Sequence, residues 1–180
     1  DTFNDGKWER IVRHIIDGQI LGYSGPAKFT YDSGPFKKLT KPVSASNVAL
    51  FTSSGHFVDG EDPNPLGTKN MSQDEAEKRI EEFLREEPEL SEIPASTPME
   101  QLRVRHGGYD VTGPKADHNV AFPLEQLRSL EKKGTIGKLA DFAYSFVGAC
   151  SQIRLRDRTG PEWVSLLKER AVDVVLLVPV

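Results

Sequence analysis

The sequence predicts an α/β fold, a mainly parallel open sheet with helices on both faces. Three observations carry the prediction. Short apolar runs alternate along the chain with segments of helical periodicity, which is the order of βαβ units. The runs at 47–52 and 173–180 are almost wholly apolar, as strands covered on both faces require. Each of the first three runs ends in a turn of small or polar residues, where a buried strand would leave the core. Together these describe a three-layer, Rossmann-like arrangement.

The elements follow in order. Lys7 to Ile20 carries Trp8, Ile11, Val12, Ile15 and Ile16 at helical spacing, with Asp5 placed as N-cap. Gly22 to Ser46 holds Gly25-Pro26, Gly34-Pro35 and Lys41-Pro42, which deny it long regular structure. Residues 1–46 therefore read as an N-terminal helix with a loop-rich extension, and 47–180 as the α/β domain. Asn47 to Thr52 is the first strand and runs into Ser53-Ser54-Gly55-His56. Ser72-Gln73-Asp74-Glu75 has the spacing of a capping box and opens a helix reaching about Glu86. Pro88, Pro94 and Pro98 fill the link to a second strand, Gln101 to Arg105. Pro123 starts a helix that buries Leu124, Leu127 and Leu130 and stops at Gly134. Ile136 to Ala140 is a connector, Phe142 to Val147 the third strand, Pro161 to Ala171 a helix and Asp173 to Val180 the fourth strand.

Composition narrows the function classes. Over 180 residues the net charge is −4, and the basic cluster Arg154, Arg156, Arg158 is broken by Asp157. A nucleic-acid partner, which needs a concentrated basic face, is not expected. No apolar run reaches the roughly 18 residues of a membrane span. The single cysteine, Cys150, rules out an internal disulfide framework and points to a reducing, cytoplasmic compartment. No H-x-x-x-H, H-E-x-x-H or paired-cysteine spacing occurs, so no metal site is expected. Neither a dinucleotide fingerprint nor a P-loop is present.

The chemistry concentrates at the strand ends. His106-Gly107-Gly108-Tyr109-Asp110 follows the second strand, Ser53-Ser54-Gly55-His56 the first, and Gly148-Ala149-Cys150 the third. In a parallel sheet all three turns emerge on one edge, where α/β proteins hold their ligands. Paired glycines permit positive φ and close backbone approach. Serine hydroxyls and free N–H groups suit an anion, and His, Tyr and Asp exchange protons or bind a polar substrate. The same residues also serve simply to hold loops in place. Val180 ends the chain on a strand without a covering loop or helix, which is read as an interrupted domain; a complete terminal strand is the rival reading.

Several spaced stretches then resemble one family. They are His106-Gly107-Gly108-Tyr109-Asp110, the run from Asp117-His118-Asn119 through Pro123 to Arg128, Gly134 to Ala140, and Tyr144-Ser145-Phe146-Val147-Gly148. In this order they are similar to the selenoprotein B family of glycine, betaine, sarcosine and D-proline reductases. The resemblance runs from about Val48 to Val180 and is densest between Arg103 and Gly148.

The resemblance implies reductive cleavage of a carbon–nitrogen bond in a small-molecule substrate. It also implies a thiol redox partner and assembly into a homo- or hetero-oligomer. The redox group it implies is a selenocysteine or cysteine in a Sec/Cys-x-x-Cys motif following a strand that ends like Leu177-Val178-Pro179-Val180. No cofactor is expected within residues 1–180; the motif is expected beyond Val180, with a UGA codon as the next one. On this reading His106, His56 and Cys150 are the catalytic candidates, and Ser53, Ser54, Gly107, Gly108, Tyr109 and Asp110 bind substrate. His118 departs from the family pattern and is read as peripheral. A non-catalytic binding or partner subunit lacking the redox centre is the competing class.

Overall fold

In a computed structural model the residues described are Lys37 to Val180. The predicted helix at 7–20, with His14 beside it, lies outside them. Thr40–Val180 clusters as one unit.

Taken along the chain, β1 is Asn47–Thr52 and β2 is His56–Val58. Helix α1 is Gln73–Lys78 and α2 is Ile80–Phe83. Strand β3 is Ser91–Pro94, β4 is Leu102–Val104 and α3 is Thr112–Ala116. Helix α4 is Leu124–Lys132, β5 is Lys138–Leu139 and β6 is Phe142–Ser145. Helix α5 is Gln152–Arg154, α6 is Gly160–Glu169 and β7 is Val174–Val178.

The main sheet is five-stranded and mostly parallel. β1 pairs in parallel with β5, β6 and β7. β7 runs alongside β1 from Val48↔Val174 to Thr52↔Val178. β5 and β6 therefore share the opposite edge of β1, β5 beside Asn47–Val48 and β6 beside Phe51–Thr52. β3 closes the far side, antiparallel to β6.

Alternate residues of β1 feed two apolar clusters. Val48 and Leu50 pack with Ile93, Phe122 and the α4 leucines Leu124 and Leu127. Ala49 and Phe51 pack with Tyr144 and, from α6, Leu167, Trp163 and Leu166. Burial on both faces explains the unbroken apolar run of β1.

The sheet differs from the predicted one in three places. The strand at 101–105 is not in the main sheet: β4 pairs antiparallel with β2, in a separate two-stranded ribbon. Its pattern already carried the reason, since Leu102 and Val104 are buried while Arg103 between them is exposed. That alternation is the mark of a strand with one wet face. β3 lies in the stretch predicted as a proline-rich link, because Pro94 sits at the end of an edge strand, where a missing N–H is tolerated. The predicted connector at 136–140 contains β5.

Two helices are also modified. Ser72 caps α1 by accepting from the Glu75 N–H at 3.1 Å. Glu75 turns to Arg79 at 3.2 Å, and the helix breaks at Arg79, where ψ is 15°. Ser72→Ala is expected to cost about 1 kcal/mol in urea unfolding; an unchanged midpoint would remove the cap from the account. The basic stretch Arg154 to Arg158, predicted as solvated chain, joins α5 to α6 as a π-type turn at Leu155–Thr159. Pro161 lacks the N–H that a regular helix needs, and a widened turn just before it absorbs the mismatch.

β7 is a sheet edge. Leu176 is 41% and Leu177 69% exposed, although both belong to an apolar run predicted to be buried. Among the described residues no helix is long and apolar enough to cross a membrane.

Candidate functional site

The three predicted turns do meet, by a different route from the one predicted. The loops after β1 and β6 leave the parallel sheet together, and the loop after β4 joins them through the ribbon. The Arg105 N–H donates to Gly55 O at 3.1 Å, the Gly55 N–H to Phe146 O at 2.9 Å and the Gly148 N–H to Ser53 O at 3.0 Å. The Tyr109 hydroxyl donates to Ser54 O at 2.9 Å. Gly55 has φ of +75°, and a Cβ there would strike the Arg105 carbonyl, so only glycine lets the two loops touch. The paired glycines work otherwise than expected: neither Gly107 nor Gly108 has positive φ. Gly107 is small because the Ala76 carbonyl of α1 lies where a side chain would begin.

His106 is held from both sides of its backbone. Its N–H donates to Gln73 Oε1 at 3.1 Å, and its carbonyl accepts from Gln73 Nε2 at 2.8 Å. Its Nδ1 accepts from the Gly108 N–H at 2.9 Å, so the ring hydrogen belongs on Nε2, which is buried without a partner. Burial lowers its pKa to about 4 and leaves a neutral imidazole. Tyr109 packs on this ring with centroids 4.7 Å apart, and burial raises its hydroxyl to about 12. Asp110 accepts from the Thr112 N–H at 2.9 Å and hydroxyl at 2.6 Å; these bonds hold its carboxyl low. It starts α3 and touches neither histidine by any hydrogen bond.

The ribbon separates two environments, because residues of β2 alternate. On one side lies a cavity of about 430 Å³, walled by Phe57, Phe83, Phe146 and Leu66 and reached by Cys150. Buried Arg105 lines it, paired through both terminal nitrogens with Asp62 at 2.7 and 2.6 Å and lying over the Phe57 ring. Burial would raise the Asp62 carboxyl, but the Arg105 hydrogen bonds outweigh it and the carboxyl is held low. The ion pairs Glu86–Arg154 (2.8 Å) and Glu87–Arg158 (2.9 Å), the second through a half-buried Glu87, line the cavity as well. Glu89 lines it too, its pKa raised by partial burial and by Asp62. The Cys150 thiol is pushed up to about 11 by burial, so it rests protonated. Of the predicted site residues only Cys150 lines this cavity; Gly55, inside the first predicted turn, lines it as well.

On the other side is a buried polar chain. Ser54 Oγ lies 2.6 Å from His56 Nδ1, and His56 Nε2 lies 3.2 Å from His118 Nδ1. Thr52 Oγ1 hydrogen-bonds Ser54 Oγ, and Ser145 Oγ sits 3.3 Å from each. His118, read from sequence as peripheral, is thus the direct partner of His56. Burial first, then His118, lowers the His56 pKa to about 3. Ser53 faces elsewhere: its Oγ accepts from the Val180 N–H at 3.1 Å.

Sequence reasoning missed Arg105, Asp62, Gln73, His118 and the phenylalanine wall. Arg105 stood within the singled-out stretch, and its place two residues past Arg103 on the same ribbon face was the available signal. Nothing local announced Gln73. Among the described residues no cluster of three or more His, Cys, Asp or Glu is arranged to hold a metal.

Comparison with known proteins gives a consistent result. The family described as glycine/sarcosine/betaine reductase selenoprotein B matches residues 30–180. The D-proline reductase subunit gamma of Acetoanaerobium sticklandii is 40% identical over 86 residues, 47% of this chain and 36% of that protein. The glycine reductase complex component B subunit gamma of Symbiobacterium thermophilum is 32% identical over 148 residues, 82% of this chain and 32% of the relative. A protein of the same description from Carboxydothermus hydrogenoformans is 28% identical over 175 residues, 94% of this chain and 37% of its own length. The chain spans about a third of the length of these relatives. No solved structure matches.

Proposed function

The chain belongs to the glycine/sarcosine/betaine reductase selenoprotein B family, and we propose that it forms the substrate-binding part of a subunit that reductively cleaves a small amino-acid-like molecule. The observation that carries this reading is the meeting of three strand-end loops beside one aromatic-walled cavity. A cavity of this size suits a small molecule. Its rings and the carboxyl of Glu89 favour the ammonium end of such a ligand through cation–π and charge attraction.

The redox group is a selenocysteine or cysteine motif following Val180 in a longer polypeptide. It supplies the nucleophile and the resolving thiol when present. The Ser53–Val180 hydrogen bond supports this placement, because residues continuing from Val180 would start at the β1 loop. His106, His56 and the Tyr109 hydroxyl serve proton transfer and positioning, Ser53, Ser54, Gly107 and Gly108 shape the loops, and Asp110 fixes the start of α3. Cys150 lines the cavity as a neutral thiol.

The complete domain is a Rossmann-like three-layer unit, supported by α4 and α6 packing against alternate residues of β1. It works in the cytoplasm within a hetero-oligomer served by a thiol redox partner.

The test is titration of the chain with glycine, sarcosine, betaine and D-proline, followed by amide shifts. One of them is expected to perturb Gly55, Phe57 and Phe146–Cys150, and Phe146→Ala to weaken that response about tenfold. If none moves these amides at saturating concentration, the non-catalytic partner subunit becomes the leading reading.

A further inference from the structure

We propose that Arg105 is the carboxylate-binding residue of the cavity, through the side of its guanidinium that Asp62 does not use. The inference rests on the substrate-binding reading and adds to it the residue that holds the acid end of the ligand.

A guanidinium carries five N–H donors in a rigid plane. They make two forks that each match a carboxylate, one end-on between the terminal nitrogens and one side-on between Nε and Nη2. In Arg105 the end-on fork is filled: Nη1 donates to Asp62 Oδ2 at 2.7 Å and Nη2 to Asp62 Oδ1 at 2.6 Å. The other Nη1 hydrogen goes to the Met71 carbonyl at 3.0 Å. The two donors that remain are the Nε–H and the second Nη2–H, which together are the side-on fork. Nε is buried, and among the described residues it has no acceptor.

Three arginines line this cavity. Arg154 and Arg158 have side chains 45% and 68% exposed, whereas that of Arg105 is 5% exposed. Water screens the first two, so they add little to the hold on a ligand. A charge-assisted pair of hydrogen bonds counts for more at the buried one. A buried donor without an acceptor also costs free energy, which a carboxylate at the fork recovers. Asp62 already balances the charge of Arg105, so a second carboxylate is held best when it brings its own cation. Glu89, on the same wall, lies close enough for its carboxyl to respond to both Asp62 and Arg105, and it serves that cation. The pair therefore selects a zwitterion and sets which way round it lies.

The loop that carries Asp62 also gives Pro63, Pro65 and Leu66 to the wall. Leu66 holds φ of +54°, a left-handed backbone that a bulky residue rarely adopts. Strain of this kind gathers at ligand clamps. A local shift of this loop opens the buried fork to the ligand while the Asp62 pair is kept.

The test follows the Arg105 Nε–H by ¹⁵N NMR. The chain is titrated with glycine, sarcosine, betaine and D-proline, and with the carboxamide of each. An acid that moves the amides of Gly55, Phe57 and Phe146–Cys150 is expected to move the Nε–H as well. Its carboxamide, of the same shape without the charge, is expected to bind about tenfold or more weakly. Arg105→Lys keeps the charge that Asp62 needs and removes the fork. In R105K the acid should fall to the affinity of its carboxamide, and the carboxamide should bind as before. Should R105K unfold, the wild-type titration decides alone. Cavity amides that move while the Nε–H stays still, or an acid and a carboxamide of equal affinity, overturn the assignment of Arg105 and leave the substrate-binding reading intact. If no acid moves the cavity amides, that reading falls and acetate decides the rest: a shifted Nε–H keeps the carboxylate site, and an unmoved one ends it.

Discussion

Replacing Arg105 by methionine is expected to cost about 3–5 kcal/mol, because it strands a buried carboxylate. Arg105 and Asp62 have side chains only 5% and 10% exposed and meet in a two-pronged ion pair. The same guanidinium also donates to the Met71 carbonyl at 3.0 Å and covers Phe57. Removing it leaves Asp62 in a half-apolar wall without its counter-charge, served only by the backbone N–H groups of Asn64 and Asn70. The exposed pair Arg103–Asp59 is a built-in control: at 2.6 Å it is as short, yet Asp59→Asn is expected to change stability by less than about 1 kcal/mol. The double variant Arg105→Met with Asp62→Leu should recover much of the loss, since a buried pair replaced as a unit is often close to neutral. Urea unfolding of the four proteins checks this. A single-variant loss no larger than that of the Asp59 control would mean the pair is wet in solution and does not tie the ribbon to the 59–71 loop.

The value of that pair explains why the site was only partly legible in the sequence. What local pattern could specify was read correctly: the buried β1 run, the Ser72 cap and the α4 leucines. What failed depended on partners distant in the chain. Leu102-Arg103-Val104 was seen as a strand, but its antiparallel pairing with His56–Val58 needs contacts 44 to 48 residues away. That pairing turns Arg105 towards the cavity and His56 towards His118, so both sides of the site hang on it. Gln73 grips the His106 backbone from a half-buried position in a helix, and no periodicity distinguishes it from its neighbours. His118 sits in a short turn after α3 and gains its meaning only when His56, stacked on Phe122, closes against it. The convergence of the three loops was expected from a parallel sheet alone; it comes about because Gly55 and Gly148 bring one loop onto the next.

The second large effect is a loss of stability in mild acid. His56 and His106 are neutral and buried, with pKa values near 3 and 4 against an ordinary 6.5. An unfolded chain takes up a proton at each ring below about pH 6.5, whereas the folded chain refuses it until far lower. The unfolded state then binds more protons, so stability falls as pH falls. It is complete above about 6.5, declines below that, and levels off at about 4 for His106 and about 3 for His56, where the folded rings titrate. Each unit separating the two pKa values is worth about 1.4 kcal/mol, so the two rings together remove on the order of 5 kcal/mol by about pH 4.5. That is comparable to the whole stability of many domains. His118 acts in the same direction. Glu89, whose pKa is raised, acts in the opposite one, but it lies exposed at the cavity mouth and offsets little. The depressed carboxyls Asp62 and Asp110 lose their contribution only at lower pH still. Urea midpoints measured at about pH 7 and about pH 4.5 should therefore differ by most of the transition, and His106→Gln should flatten the dependence by roughly half. A midpoint that stays level across that range would mean the two imidazoles accept protons in the folded state. His106 would then carry a second hydrogen on Nδ1, where the Gly108 N–H now donates, and the turn that joins β4 to the other loops would have to open.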